Sequence, residues 1–178
     1  MSNTDRPDLQ PPVDAELLTD ADFNPISFDV PLIPQPTAVS CWAASLAMVI
    51  SHRDSAMYSV EDIASQASMD TSTGYKWAQI QGAVSSWSLR QEGSVCGPPS
   101  FWANLLRSFG PLWIVEVGNP AHAVVVTGIQ GDGSPESAIV NINNPSPPSI
   151  GMMQEKHFLD FESEFELGVR ASAMIVHR

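Results

Sequence analysis

Ten consecutive residues, Cys41-Trp-Ala-Ala-Ser-Leu-Ala-Met-Val-Ile50, carry one polar side chain, Ser45. Their alanine-rich composition favours a helix. Being apolar on nearly every side, that helix has no face to offer to water and must be buried on most sides, so the rest of the chain has to wrap around it. Ser40 stands where an N-cap belongs. The Cys41 thiol then lies in the first helical turn, where unpaired backbone N–H groups and the helix dipole favour negative charge.

A chain of 178 residues is long enough for one domain with a proper core and too short for two comfortable ones. Twenty acidic against eight basic side chains give a formal charge of -12, which repels phosphate backbones and anionic lipid surfaces. Neither nucleic acid nor a membrane is an expected partner. No stretch approaches the roughly 20 apolar residues that span a bilayer, and Met1-Ser-Asn-Thr-Asp-Arg-Pro7 lacks the basic and apolar regions of a secretory signal. Two cysteines allow at most one disulfide, which favours a reducing compartment. The expected location is the cytoplasm, or the exterior by a specialised secretion system that needs no cleaved signal.

Residues 1–30 hold seven acidic side chains, a single arginine and repeated prolines, with few apolar residues to bury. They read as a flexible leader, and residues 31–178 as one domain. Ser59-Val-Glu-Asp62 has capping-box spacing and predicts a short helix that includes Ile63. Trp77, Ile80, Val84 and Trp87 recur at helical spacing. A fourth helix is predicted to enter at Pro98-Pro99-Ser100, bury Phe101, Leu105 and Leu106, and leave at Gly110. Beyond Gly110 the pattern changes to short β-branched runs, at residues 112–117, 123–129, 138–143 and 173–177, which read as strands. The turn residues of Gln130-Gly-Asp-Gly-Ser-Pro135 join the second and third of these into an antiparallel hairpin. Phe158, Phe161 and Phe165 suggest one more helix packed on the sheet. Helices first and an antiparallel sheet second define an α+β domain.

The chemistry-bearing residues fall at telling places in this plan. About 97% of a free cysteine is protonated at neutral pH, so a nucleophilic Cys41 needs its thiol made more acidic. The helix N-terminus is one means, and a neighbouring imidazole that takes the proton is another. His122, leading the strand-like run Ala123-Val-Val-Val-Thr-Gly128, is the candidate base. Its second ring nitrogen needs an acceptor. Asn144 is placed where the hairpin returns toward His122, and it is preferred to Asn143, which would face the other side of the strand. Gln35, six residues before Cys41, is the candidate donor to a developing oxyanion, together with the Cys41 N–H. Cys96, in Ser-Val-Cys-Gly-Pro-Pro, is the second choice as nucleophile, although as a loop or core thiol it has no companion at a telling spacing. His52, His157 and His177 lack partners at ligand spacing, so neither a metal nor another cofactor is expected.

Gln35, Ser40-Cys41-Trp42-Ala43, His122-Ala123-Val124 and Ile142-Asn143-Asn144-Pro145 together resemble the papain-like cysteine peptidases. The resemblance is to the compact bacterial members, which include bacteriocin-leader-processing peptidases and plant-pathogen effector proteases, and it spans roughly residues 31–178. It implies a papain-like fold in which a buried nucleophile helix in an N-terminal helical part packs on a C-terminal antiparallel sheet. It also implies a nucleophile at Cys41, a base at His122, an orienting residue at Asn144 and an oxyanion donor at Gln35. A protein or peptide would be the substrate, an inhibitor or immunity protein a conceivable partner, and secretion as an effector or toxin the setting. The chain departs from the pattern in places. Ala38 and Val39 replace the cysteine and glycine of the plant and lysosomal branch, and Cys41 to His122 spans 81 residues against about 130 or more there. The compact bacterial members often have aspartate where this chain has Asn144. Because such a triad fixes acyl transfer and not the acyl donor, an amidase, deamidase or acyltransferase is an alternative, as is a catalytically silent binding module.

Overall fold

A computed structural model describes residues 23–92, 96–116, 121–170 and 173–177. The apolar run forms α1 (Cys41–Asp54), in which every residue from Cys41 to Ser51 is buried. Burial of Leu46, Met48 and Ile50 contributes about 2 kcal/mol each. Ser40 occupies the N-cap position without capping through its side chain. Its Oγ instead accepts from the Thr37 N–H at 3.0 Å and braces the approach loop, while its carbonyl accepts from Ala43 N and Ala44 N at 3.1 Å.

The predicted capping box is present at α2 (Val60–Gln66): Ser59 Oγ accepts from Asp62 N, and Asp62 Oδ2 accepts from Ser59 N, each at 3.0 Å. α3 (Trp77–Ser86) lies where the aromatic spacing put it. A short strand between α3 and the next helix was not foreseen. With β1 assigned to Ile26–Ser27, this strand is β2 (Arg90–Glu92). α4 (Pro99–Phe109) begins at its proline and ends at Gly110, whose φ of 81° suits glycine.

Then follow β3 (Leu112–Glu116), β4 (His122–Gln130), β5 (Ile139–Asn144), β6 (Met152–His157), α5 (Phe158–Arg170) and β7 (Ala173–His177). Residue 117, assigned to the first strand from sequence, lies outside the described residues. The strands run in the order β2-β7-β3-β4-β5-β6, all neighbours antiparallel, with β1 added beside β4. The β4–β5 pair is the expected hairpin.

Side-chain alternation sends the strands' residues to two cores. Trp113, Val115, Ala123 and Val125 pack with α1, α2 and α3. Leu112, Ile114, Val126, Val140 and Ile142 pack with Trp102 of α4 and with Phe158, Phe161 and Phe165 of α5. The helices thus cover both faces of the sheet, α1 on one and α5 on the other. Residues 1–22 lie outside the described residues, but 23–30, read from sequence as leader, join the fold. β1 pairs with Gly128 and Ile129, Val30 is buried, and a Cβ at Gly128 would come within 2.6 Å of the Ile26 carbonyl oxygen.

Candidate active site

Three elements converge at the start of β4. Cys41, the first residue of α1, has its sulfur facing the backbone N–H groups of Ala123, Trp42 and Cys41 itself, and each of these contacts lowers the thiol pKa. Burial outweighs them: the residue is 3% exposed, and desolvation pushes the thiol above its ordinary value. The helix N-terminus expected from sequence is therefore in place, but in this state it does not by itself yield a thiolate. Ser45, one turn on, donates to the Ala123 carbonyl at 2.8 Å and pins α1 to β4 beside the sulfur.

His122 opens β4, and its Nε2 lies 3.0 Å from Asn144 Oδ1 at the end of β5. The Ser146 N–H donates to the same Oδ1 at 2.9 Å, which fixes the amide orientation independently of the ring. Asn144 Nδ2 turns toward Gln154 Oε1 of β6 at 3.4 Å. An acceptor opposite Nε2 places the ring proton there and leaves Nδ1 as the lone-pair nitrogen. Burial, the largest influence, pulls His122 below its ordinary pKa; the Asn144 bond opposes this and the charge of Lys156 adds to it. Asn143 faces away and donates to the Val30 carbonyl at 3.0 Å, as the alternation argument requires.

Gln35 is 3% exposed, held in the fold by its main chain. Its N–H donates to the Pro145 carbonyl at 3.0 Å and its carbonyl accepts from Ser149 N at 2.9 Å, which ties the approach to α1 to the loop after Asn144. Its side-chain Nε2 donates to the Thr37 carbonyl at 2.7 Å, while Oε1 is buried without a partner. One N–H of that amide remains for another acceptor.

His122 and Asn144 are thus in direct contact. Cys41 meets Ala123, one residue along, and no hydrogen bond joins the thiol to the ring. Cys96, half-buried in the loop before α4, belongs to the other core. Among the described residues no group of three or more His, Cys, Asp or Glu is placed to hold a metal ion, and no helix is long and apolar enough to cross a membrane.

Sequence reasoning missed Tyr75, Glu116 and Gln154. Buried Tyr75 donates to the Glu116 carbonyl at 2.7 Å, and its phenol is pushed up by burial and then by the charge of the Cys41 and Glu116 side chains. It bridges the neighbourhood of the sulfur to the end of β3. No motif marks it. Gln154 lies in a polar edge strand that lacks the β-branched residues by which strands are recognised.

A helix-borne thiol, a strand-borne imidazole and its amide partner on an antiparallel sheet are the parts of a papain-like cysteine peptidase. The crystal structure of the peptidase domain of Streptococcus ComA, a bifunctional ABC transporter involved in a quorum-sensing pathway, has the same fold. Its TM-score is 0.54 and its identity 20%, over 84% of this chain and 98% of that one. The family described as papain-like cysteine protease AvrRpt2 matches residues 24–163, and the chain belongs to that family. It is accordingly a hydrolase that acts on protein or peptide. No curated protein matches it significantly.

Proposed function

We propose that Cys41, His122, Asn144 and Gln35 carry out peptide-bond hydrolysis through a thioester acyl-enzyme. In this reading His122 Nδ1 takes the Cys41 proton. The sulfur then attacks the scissile carbonyl carbon, and the resulting oxyanion is met by the free Gln35 N–H and the Cys41 N–H. The imidazolium returns its proton to the leaving amine, and water, deprotonated by the same ring, hydrolyses the thioester. Asn144 keeps the ring in the tautomer that makes Nδ1 the base. The observation that carries the reading is the 3.0 Å His122–Asn144 bond, with the Cys41 sulfur against the backbone N–H of the next residue, Ala123. Replacing Cys41 by Ala should abolish hydrolysis while circular dichroism stays native; retained turnover would remove Cys41 from the mechanism.

An effector or toxin role, reached through a specialised secretion system, is supported by the resemblance to effector proteases and by the acidic, proline-rich leader.

A further inference from the structure

A cavity of about 100 Å3 opens between the sheet and α5, and His122 and Asn144 line it together with Glu116, Gln154, Lys156 and Glu164. Glu116 ends β3 as the direct cross-strand partner of His122. Their side chains leave the same face of the sheet, and Cβ atoms of such pairs lie about 5 Å apart. Among the described residues, the polar groups lining the cavity with the ring are Glu116 from β3, Asn144 from β5, Gln154 and Lys156 from β6, and Glu164 from α5. Lys156, a cation lining this cavity, is bonded to Glu164, and its charge also acts on His122 and on Glu116. Asn144 is a neutral amide. Among the described residues lining the cavity, Glu164 is the carboxylate ion-paired to Lys156, and Glu116 makes no ion pair.

We propose that the Glu116 carboxylate stabilises the His122 imidazolium through space, supplying the charge that Asn144 lacks. Glu116 is thus a positioning residue for the proton, one that works through His122 and does not touch substrate. The inference rests on the reading of His122 as the base for Cys41. Burial keeps the interaction poorly screened. Burial also raises the Glu116 carboxyl pKa, as does the Glu164 charge, with Lys156 opposing, while burial lowers that of His122, so each charge is disfavoured alone. Formed together, two opposite charges support one another. In the step it assists, the Sγ–H bond breaks, its proton goes to Nδ1, and the electron pair stays on sulfur. The imidazolium so formed faces Glu116.

The test is the rate of Cys41 alkylation by iodoacetamide in the full chain, read by peptide mass spectrometry between about pH 5 and 9. Glu116→Gln is expected to raise the apparent thiol pKa by about one unit, slowing alkylation near pH 6 about tenfold. Adding Asn144→Asp to that variant should restore the rate. Lys156→Met, which removes the opposing charge, should shift the profile in the other direction. A Glu116→Gln profile that superimposes on wild type, a loss that Asn144→Asp does not restore, or an unshifted Lys156→Met profile overturns the proposal. His122→Ala separates the two levels: if it leaves the profile unaltered, the catalytic reading falls and the proposal with it. If His122→Ala matters and Glu116→Gln does not, the proposal alone falls.

Discussion

Truncating Asn144 to Ala removes one oxygen that serves two donors, the His122 ring at 3.0 Å and the Ser146 N–H at 2.9 Å. In the resting enzyme the ring is neutral, and its bond to Oδ1 is worth about 1 kcal/mol net. Once His122 carries the thiol proton the donor is charged, and the bond is worth about 2.5 kcal/mol. The difference of about 1.5 kcal/mol is what the transition state loses relative to free enzyme, corresponding to roughly a tenfold fall in kcat/KM. Fold stability should fall by about 1–2 kcal/mol, because the Ser146 N–H and the ring both lose an acceptor. Asn144→Asp keeps both acceptors and should retain activity, extending it to higher pH because a carboxylate holds the imidazolium proton more tightly. The assay is the pH dependence of hydrolysis of a quenched fluorescent peptide that the wild type cleaves, paired with urea denaturation. Wild-type kcat/KM in Asn144→Ala, or a loss as complete as that of Cys41→Ala, would refute the assignment of Asn144 as a support for the ring.

On the proposal that the free Gln35 N–H meets the oxyanion, Gln35→Ala should lower kcat by about 100-fold or more with little change in KM; an unchanged kcat would place the oxyanion elsewhere. His122, held below its ordinary value of 6.5 chiefly by burial, makes stability depend on pH. Below that value the unfolded chain takes up a proton that the folded chain refuses, so folding weakens as pH falls through this window and is unaffected by His122 above it. Urea midpoints of the wild type should therefore drop between about pH 6.5 and 5 by more than those of His122→Asn, and parallel curves would contradict the burial argument.

What the sequence revealed and what it concealed divide along physical lines. α1, the capping box of α2, the proline entry and glycine exit of α4 and the β4–β5 hairpin were legible because each rests on local grammar: an apolar run, a side chain facing a backbone N–H, a turn. β6 was hidden. Met152-Met-Gln-Glu-Lys-His157 is an edge strand with exposed side chains, so it shows neither alternation nor β-branched enrichment. β1 and the first residues of the fold were hidden by the acidic, proline-rich composition of the segment that contains them. The contact between His122 and Asn144 followed from hairpin geometry, and the choice of Asn144 over Asn143 from strand alternation. The raised Cys41 pKa did not follow, because helix position is local whereas desolvation depends on everything packed around the sulfur. Glu116 and Tyr75 escaped for the same reason: cross-strand register and a side chain reaching another element's carbonyl exist only after folding.

The central claim, that Cys41 becomes a nucleophile through His122, is tested most directly by a peptidyl chloromethyl ketone followed by peptide mass spectrometry. The account predicts one adduct, on Cys41, formed by the wild type and lost in His122→Ala. Labelling of Cys96 in place of Cys41, or equal labelling of Cys41 with and without the imidazole, would contradict it.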